Sequence, residues 1–308
     1  MPSDTTHFSY SLFGLVVHSD LELPELARFD PGAPENLMPA EVEILLGSVP
    51  LTLSGSQVVE GVLEFTKSAC LHFFPGLARF LVEDGCKISI EMETDAPPDD
   101  VRLYLLGSVF ATLLHQRKLI PLHVSAVVTP KGIVAFTGDS GAGKSTIAAL
   151  LHKQTNWPMI SDDVAVLRPS DEMPTLYGGM LRIKLWKDAI GLLKIDQAKT
   201  FRDAVRFEKY HLRAPEQFAQ QPLELAALIE LQQGDANRLQ PLGGAETFEL
   251  VMNSIYRPYL VGMFGDRDTV VRKSALVANQ IQGYSLTRQW SVQGLYDSAC
   301  LIGRHFGE

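Results

Sequence analysis

The nine residues from Gly138 to Thr146, GDSGAGKST, satisfy the pattern G-x-x-x-x-G-K-[ST], with Gly138, Gly143, Lys144 and Ser145 at its fixed positions. Glycine lets the backbone turn closely enough for its N–H groups to surround an anion, and the helix that follows adds a positive dipole end. Lys144 then supplies a phosphate counter-charge and Ser145 a hydroxyl for magnesium. Asp139, Ser140, Gly141 and Ala142 complete the loop, and Thr146 helps to cap the helix. This chemistry predicts binding of a nucleoside triphosphate, with ATP and Mg2+ as the expected ligands.

Two adjacent acids, Asp162 and Asp163, lie 18 and 19 residues beyond Lys144, far enough for an intervening helix to return the chain to the phosphates. One carboxylate can hold magnesium while the other accepts a proton from an attacking hydroxyl. Successive strand residues point to opposite sides, so the two need not share a task. We assign Asp162 to the base and Asp163, with Ser145, to the metal. The reverse order stays open, as does a solvated acidic turn.

These residues need elements to hold them. LHVSAVVTPKGIVAFTGDS reads as two β-rich runs joined at PKG, the second entering the loop. TIAALLHKQ has helix-forming composition with apolar spacing, and PMISDDVAVL returns to β preference around the acids. Strand, loop, helix and strand predict an α/β nucleotide domain. LELAALIELQ suits a strand or a helix; the segments 245–264 and 273–302 predict helices with terminal strands.

Before this region the pattern differs. From Phe8 to Ser89 the short apolar runs LFGLVV, EVEILLG, GVLEFT and ARFLVED alternate with Gly, Pro and charge, predicting a small sheet-rich domain. EMETDAPPDD then breaks the pattern, and VRLYLLGSVFATLLHQR has the recurrence of a buried helix. A boundary near residue 95 follows, with domains over 1–95 and 96–308.

Composition bounds the partners. In 308 residues, 27 Lys and Arg face 36 Asp and Glu, so the net charge of −9 repels polyanions and argues against nucleic acid. The three cysteines, Cys70, Cys86 and Cys300, are too few and too far apart for a disulfide framework or a zinc cluster, and read as reduced thiols. The first residues lack a cationic leader, and the most apolar stretch, around Leu103 to Leu114, is short of a membrane span. A cytoplasmic protein with no membrane span is the expectation, with homo-oligomerisation left open.

LHVSAVV, IVAFTGDSGAGKSTIAALL and MISDDVAVL together resemble the HPr serine kinase and phosphorylase family, in its divergent branch carrying only the kinase-related module. LRIKLWKDAIGLL and NSIYR extend the resemblance, which is scattered over residues 103–260. It implies an HPr kinase-like catalytic domain behind the small sheet-rich one. The implied activity is transfer of the γ-phosphoryl group of ATP to Ser of a protein or peptide. It also implies that an upstream histidine, His123 here, lies near the catalytic centre; a satisfied packing histidine is the alternative.

The chain departs from the family after YGGMLRIKLW, where bifunctional members carry an Arg- and Glu-containing signature linked to phosphorylase activity and protein recognition. This stretch is basic and aromatic instead, which weakens phosphorolysis and the usual HPr acceptor. Arg182 and Lys184 read as phosphate or acceptor contacts or as ion pairs, and Trp186 as core or as a peptide-facing ring. Arg206, Lys209, His211 and Arg213 form a local basic group that either closes over triphosphate or solubilises the surface. Arg257 is a phosphate or structural candidate. Competing functions are a kinase of small hydroxyl compounds, a nucleotide-dependent regulatory ATPase and a binding module without turnover.

Overall fold

The computed structural model describes residues 8–29, 39–59, 63–196, 200–202, 208–213, 215–219, 221–264 and 267–307. The architecture is α/β, and the chain divides into two compact units. One comprises residues 1–121 with 257–270, the other residues 122–256 with 271–308.

The first unit is a nine-stranded sheet with a helical rod. Its strands run in the order Ala27–Arg28, Phe8–Leu12, Leu15–Ser19, Val42–Leu46, Lys87–Met92, Ala78–Glu83, Ala69–Phe74, Leu63–Phe65 and Gln57–Val59. The run LFGLVV is not one strand. It turns at Phe13 and Gly14, both at positive φ (55° and 72°), so that Leu12 pairs with Leu15 across a two-residue turn. A phenylalanine tolerates the left-handed backbone here because its ring is buried 5.9 Å from that of Phe110.

The rod is Pro98–Tyr104, a π-helical turn Leu105–Val109, and Phe110–Gln116. Its buried face, with Val101, Leu105, Val109, Phe110 and Leu113, packs against the Ala78–Glu83 strand. The rod therefore belongs with the sheet before it, and the sequence boundary near residue 95 gives way to a division after Pro121. A sequence break at EMETDAPPDD marks the end of a strand, not the end of a core. Tyr259–Met263 also returns to this unit, where it packs on the Phe110–Gln116 helix.

The second unit is a mixed sheet with helices on both faces. Leu223–Gln233, read as strand or helix, is a central strand. It pairs in parallel with Gly132–Thr137 on one side and with Gln282–Arg288 on the other. Both its faces are covered, so its composition shows neither strand alternation nor a clear helical stripe. Gly132–Thr137 forms a hairpin with Ser125–Thr129, which pairs antiparallel with Met159–Asp162.

Val134, Phe136, Ala227, Ile229 and Leu286 face a core shared with the Lys144–Thr155 and Val292–Phe306 helices. Gly244–Asn253 covers the opposite face, close enough that a Cβ on Gly283 would lie 2.5 Å from Thr247 Oγ1. A small sheet of Arg182–Trp186, Lys209–Arg213 and Thr200–Arg202 completes the unit. Cys70, Cys86 and Cys300 are free. Among the described residues, no helix is long and apolar enough to cross a membrane.

His72 gives the first unit a pH-dependent stability. It is buried in the sheet, its Nε2 lies 2.9 Å from Thr112 Oγ1 on the rod, and burial together with the Arg257 charge lowers its pKa to about 3. The unfolded chain, with a histidine pKa of about 6.5, binds the proton that the fold refuses. Stability is thus full above that value and is lost as pH falls from about 6.5 toward 3. Between pH 7 and pH 5 this group alone should cost about 2 kcal/mol. Urea unfolding of His72→Gln, whose Nε2 can still reach Thr112, is expected to show that much less acid destabilisation than the parent; parallel pH curves would contradict it.

Candidate functional site

Strand directions gather the chemistry at one edge of the second sheet. Gly132–Thr137, Leu223–Gln233 and Gln282–Arg288 are parallel, so their carboxyl ends lie at the same edge. Met159–Asp162 runs the same way, because two antiparallel pairings separate it from Gly132–Thr137. Gly138, Arg288 and Asp162 therefore share the carboxyl edge with Ser125, which begins the intervening antiparallel strand. Open α/β sheets place ligands at such an edge.

The loop 138–143 leaves that edge and enters the Lys144–Thr155 helix. Gly138, Gly141 and Gly143 have φ of 127°, 94° and 91°, a region that side chains other than hydrogen rarely adopt. Space also demands glycine: a Cβ would lie 2.9 Å from the Leu231 carbonyl at Gly138 and 2.7 Å from Arg288 Nη2 at Gly143. Asp139, Ser140 and Gly141 form an exposed arch, while Ala142 and Lys144 are buried and Ser145 and Thr146 half-buried.

No side chain caps the start of the helix, so Thr146, inside the first turn, does not have the capping role expected of it; no acid occupies that turn either, which leaves the N–H groups' partial charge unopposed there. Lys144 folds back over the loop, its Nζ donating to the Gly138 carbonyl at 2.8 Å and the Asp139 carbonyl at 3.1 Å. Burial lowers its pKa, against the opposing pull of Asp163 and Asp162.

Asp162 ends its strand opposite Ser125 and is 2% exposed. Ser125 donates to its Oδ1 at 2.5 Å and the Lys184 backbone N–H donates to its Oδ2 at 2.6 Å. Burial raises its pKa while these two donors, and the nearby Ser145 side chain, hold it down. The strand stops there. Asp163 bends away at φ 96°, so strand alternation does not decide where its carboxylate goes.

That carboxylate meets Lys184 Nζ at 2.5 Å and His123 Nε2 at 3.6 Å, with its side chain 18% exposed. Burial alone would push the Asp163 pKa up; Lys184, His123 and Arg182 outweigh it and hold the group well below the ordinary carboxylate range. His123 has its pKa lowered to about 4, by burial and then by Lys144, against the pull of Asp163. It is neutral at pH 7. Its backbone N–H donates to Ser254 O at 2.7 Å, and its ring packs edge-on to Tyr256.

The geometry brings His123, Lys144, Ser145, Asp162 and Asp163 together, but it distributes the contacts differently from the sequence assignment. The Ser145 side chain acts on Asp162, whereas Asp163 is paired with Lys184. Lys184, read as phosphate or acceptor contact or as an ion pair, is an ion pair. Arg182 is buried, with its charge felt at Asp163. Trp186 is not in the core: it is 40% exposed, with Lys209 Nζ 5.0 Å from its ring centre. Lys209 also acts electrostatically on Lys144 and His123.

His211 is buried and Arg213 exposed, and Arg206 lies outside the described residues. Arg257 falls in the first unit, where Nη2 donates to Ser108 Oγ at 2.6 Å and Nη1 to the Tyr259 hydroxyl at 3.1 Å, a structural role. Sequence reading missed Ser125 and Arg288. Ser125 stands two residues after His123 in the same β-like run, but only the register puts it opposite Asp162.

Chemically, the edge offers a glycine-rich loop at a helix start with a lysine folded onto its carbonyls, a buried carboxylate held by Ser125 and the Lys184 N–H, and a second, more accessible carboxylate. Ser145 and Asp162 are the pair best placed to hold a divalent cation. Among the described residues, no three His, Cys, Asp or Glu side chains form a metal cluster by themselves.

No family model matches this chain, and no curated relative matches it. Among solved structures, the Hpr(Ser) kinase/phosphatase from Coxiella burnetii is similar at 13% identity over 60% of this chain and 95% of its own, with a TM-score of 0.30. That is a remote likeness, too weak to argue from.

Breaking the Asp163 pair should be costly. Lys184→Met is expected to lower the unfolding free energy at pH 7 by about 1.5–3 kcal/mol, the scale of a hydrogen bond to a charged group in a part-buried pair. Because the folded-state pKa of Asp163 is depressed, the pair's contribution is complete above about pH 4 and disappears as pH falls below it. The stability gap between parent and variant should therefore narrow on acidification. A gap that stays constant from pH 7 to pH 3 would show that the pair is not its source.

Proposed function

We propose that this chain is a P-loop, HPr kinase-like serine kinase that transfers the γ-phosphoryl group of ATP to a hydroxyl of a protein or peptide. The observation that carries the reading is the positive-φ glycine loop that opens the Lys144–Thr155 helix, with Lys144 Nζ folded onto its carbonyls at 2.8 and 3.1 Å. Ser145 follows in the same turn, and its side chain acts on the buried Asp162 carboxylate at the end of a neighbouring strand.

The residues fit the implied ligands. Positive-φ glycines, an uncapped helix start and Lys144 make a cradle for the triphosphate. The Lys144 bonds to loop carbonyls are ones a phosphate oxygen can replace. Mg2+ takes one or two protein ligands beside phosphate oxygens, which Ser145 and Asp162 can supply. When bound, it offsets charge on the phosphates during transfer.

The division of labour reverses the assignment from strand order. Asp162 is buried with its oxygens engaged, and belongs to the metal side. Asp163 is the more accessible acid and lies on the acceptor side, oriented by Lys184 and neutral His123. In the reaction the acceptor oxygen bonds the γ-phosphorus, the bond to the β–γ bridging oxygen breaks, and ADP leaves. The acceptor proton passes to Asp163. Its low pKa makes it a weak base, which suffices when the transition state is loose and positioning dominates.

Serine as acceptor follows from the sequence resemblance. The exposed Trp186 under Lys209, electrostatically linked to Lys144 and His123, supports an acceptor larger than a small alcohol.

The test is to incubate the protein with γ-labelled ATP and pooled proteins, Ser peptides and small hydroxyl compounds, then identify the labelled product. Labelled serine is expected. Exclusive labelling of a sugar or alcohol would overturn the acceptor, and release of free phosphate without any labelled acceptor would overturn the kinase reading. Lys144→Met should retain the fold and lower transfer by about 10²–10³-fold, the scale set by loss of one preorganised charge-stabilising donor.

A further inference from the structure

Arg288 ends the strand that parallels the central one and turns back over the glycine loop. Its Nη2 donates to the Ala142 carbonyl at 3.1 Å and blocks any side chain at Gly143. The same guanidinium lies 4.3 Å from the centre of the Trp290 ring. Arg288 is buried, whereas Trp290 is 53% exposed. Guanidinium and indole thus form a stack whose inner end rests on the loop backbone and whose outer end is open to solvent.

Two physical points make this more than a stray aromatic. First, an exposed tryptophan is ordinarily free to rotate; here a buried cation holds the ring face through the cation–π attraction, so the ring is oriented before any ligand arrives. Secondly, the guanidinium bridges the loop and the indole, touching the Ala142 carbonyl at 3.1 Å and lying 4.3 Å from the ring centre, which sets the ring beside the loop within reach of the base of a nucleotide whose phosphates lie there.

We propose that Trp290 is the platform on which the base of the bound nucleoside triphosphate stacks, with Arg288 as the positioning residue that fixes the ring relative to the loop. The proposal rests on the nucleotide reading of that loop. Stacking uses ring area and is tolerant of the base edge, so the platform accepts a purine without hydrogen-bond readout.

Calorimetric titrations with the magnesium complexes of β,γ-imido-ATP and of tripolyphosphate, which has no base, separate the two readings. In Trp290→Ala the ATP analogue should bind about tenfold or more weakly, the scale of one lost base–aromatic stack, while tripolyphosphate affinity stays within about twofold of the parent. Trp290→Phe should recover most of the loss. Equal affinities of parent and Trp290→Ala for the analogue would overturn the platform, as would an equal loss for both compounds, which would mean that Trp290 acts through the loop. If the parent protein bound neither compound, the phosphate role of the loop would itself fall, and the platform with it.

Discussion

A buried carboxylate organises the second unit. Asp162 can remain out of water only if its oxygens are met by donors, since an unpaired buried charge costs several kcal/mol. The donors come from segments distant in sequence, Ser125 at a strand start and the Lys184 N–H on the small sheet, and Ser145 in the first turn of a helix adds its side chain's pull on the carboxylate's pKa. Hydrogen bonds to charged groups contribute about 1.5–3 kcal/mol each, and a missing one leaves its partner unsatisfied. Holding this one acid in place therefore fixes the distance between the glycine loop, the sheet edge and the strand that carries Lys184.

The same arrangement gives two adjacent acids different surroundings. Burial pushes Asp162 up, whereas Lys184, His123 and Arg182 pull Asp163 down. Neighbouring titratable groups driven apart in this way mark sites where each does a different task. The positive φ of Asp163 is what permits the separation: the backbone leaves the strand at that residue, and the second carboxylate turns to a different set of partners.

Parts of this were legible in the sequence and others were not, for physical reasons. The loop could be read because its requirements are local: glycines, a lysine and a hydroxyl at fixed spacing between a β-like run and a helical one. The Ser125–Asp162 bond depends on register between strands 37 residues apart, which no local pattern encodes. Leu223–Gln233 could not be assigned because a strand covered on both faces loses its alternation. The helical rod at 98–116 was recognised as buried, but its apolar stripe does not say which sheet it covers. Strand parity could not divide tasks between the two acids, because the strand ends between them.

The central claim is that Ser145 and Asp162 act as one unit that holds magnesium beside the phosphates. A double-mutant cycle tests it most directly, using Ser145→Ala, Asp162→Asn and the combined variant, with the Mg2+-dependent gain in β,γ-imido-ATP affinity as the readout and thermal unfolding recorded alongside. The account predicts that each folded single variant loses most of that gain and that the combined variant loses little more, because the two groups serve one ion. Strictly additive losses, or a full Mg2+ response in Asp162→Asn, would contradict it.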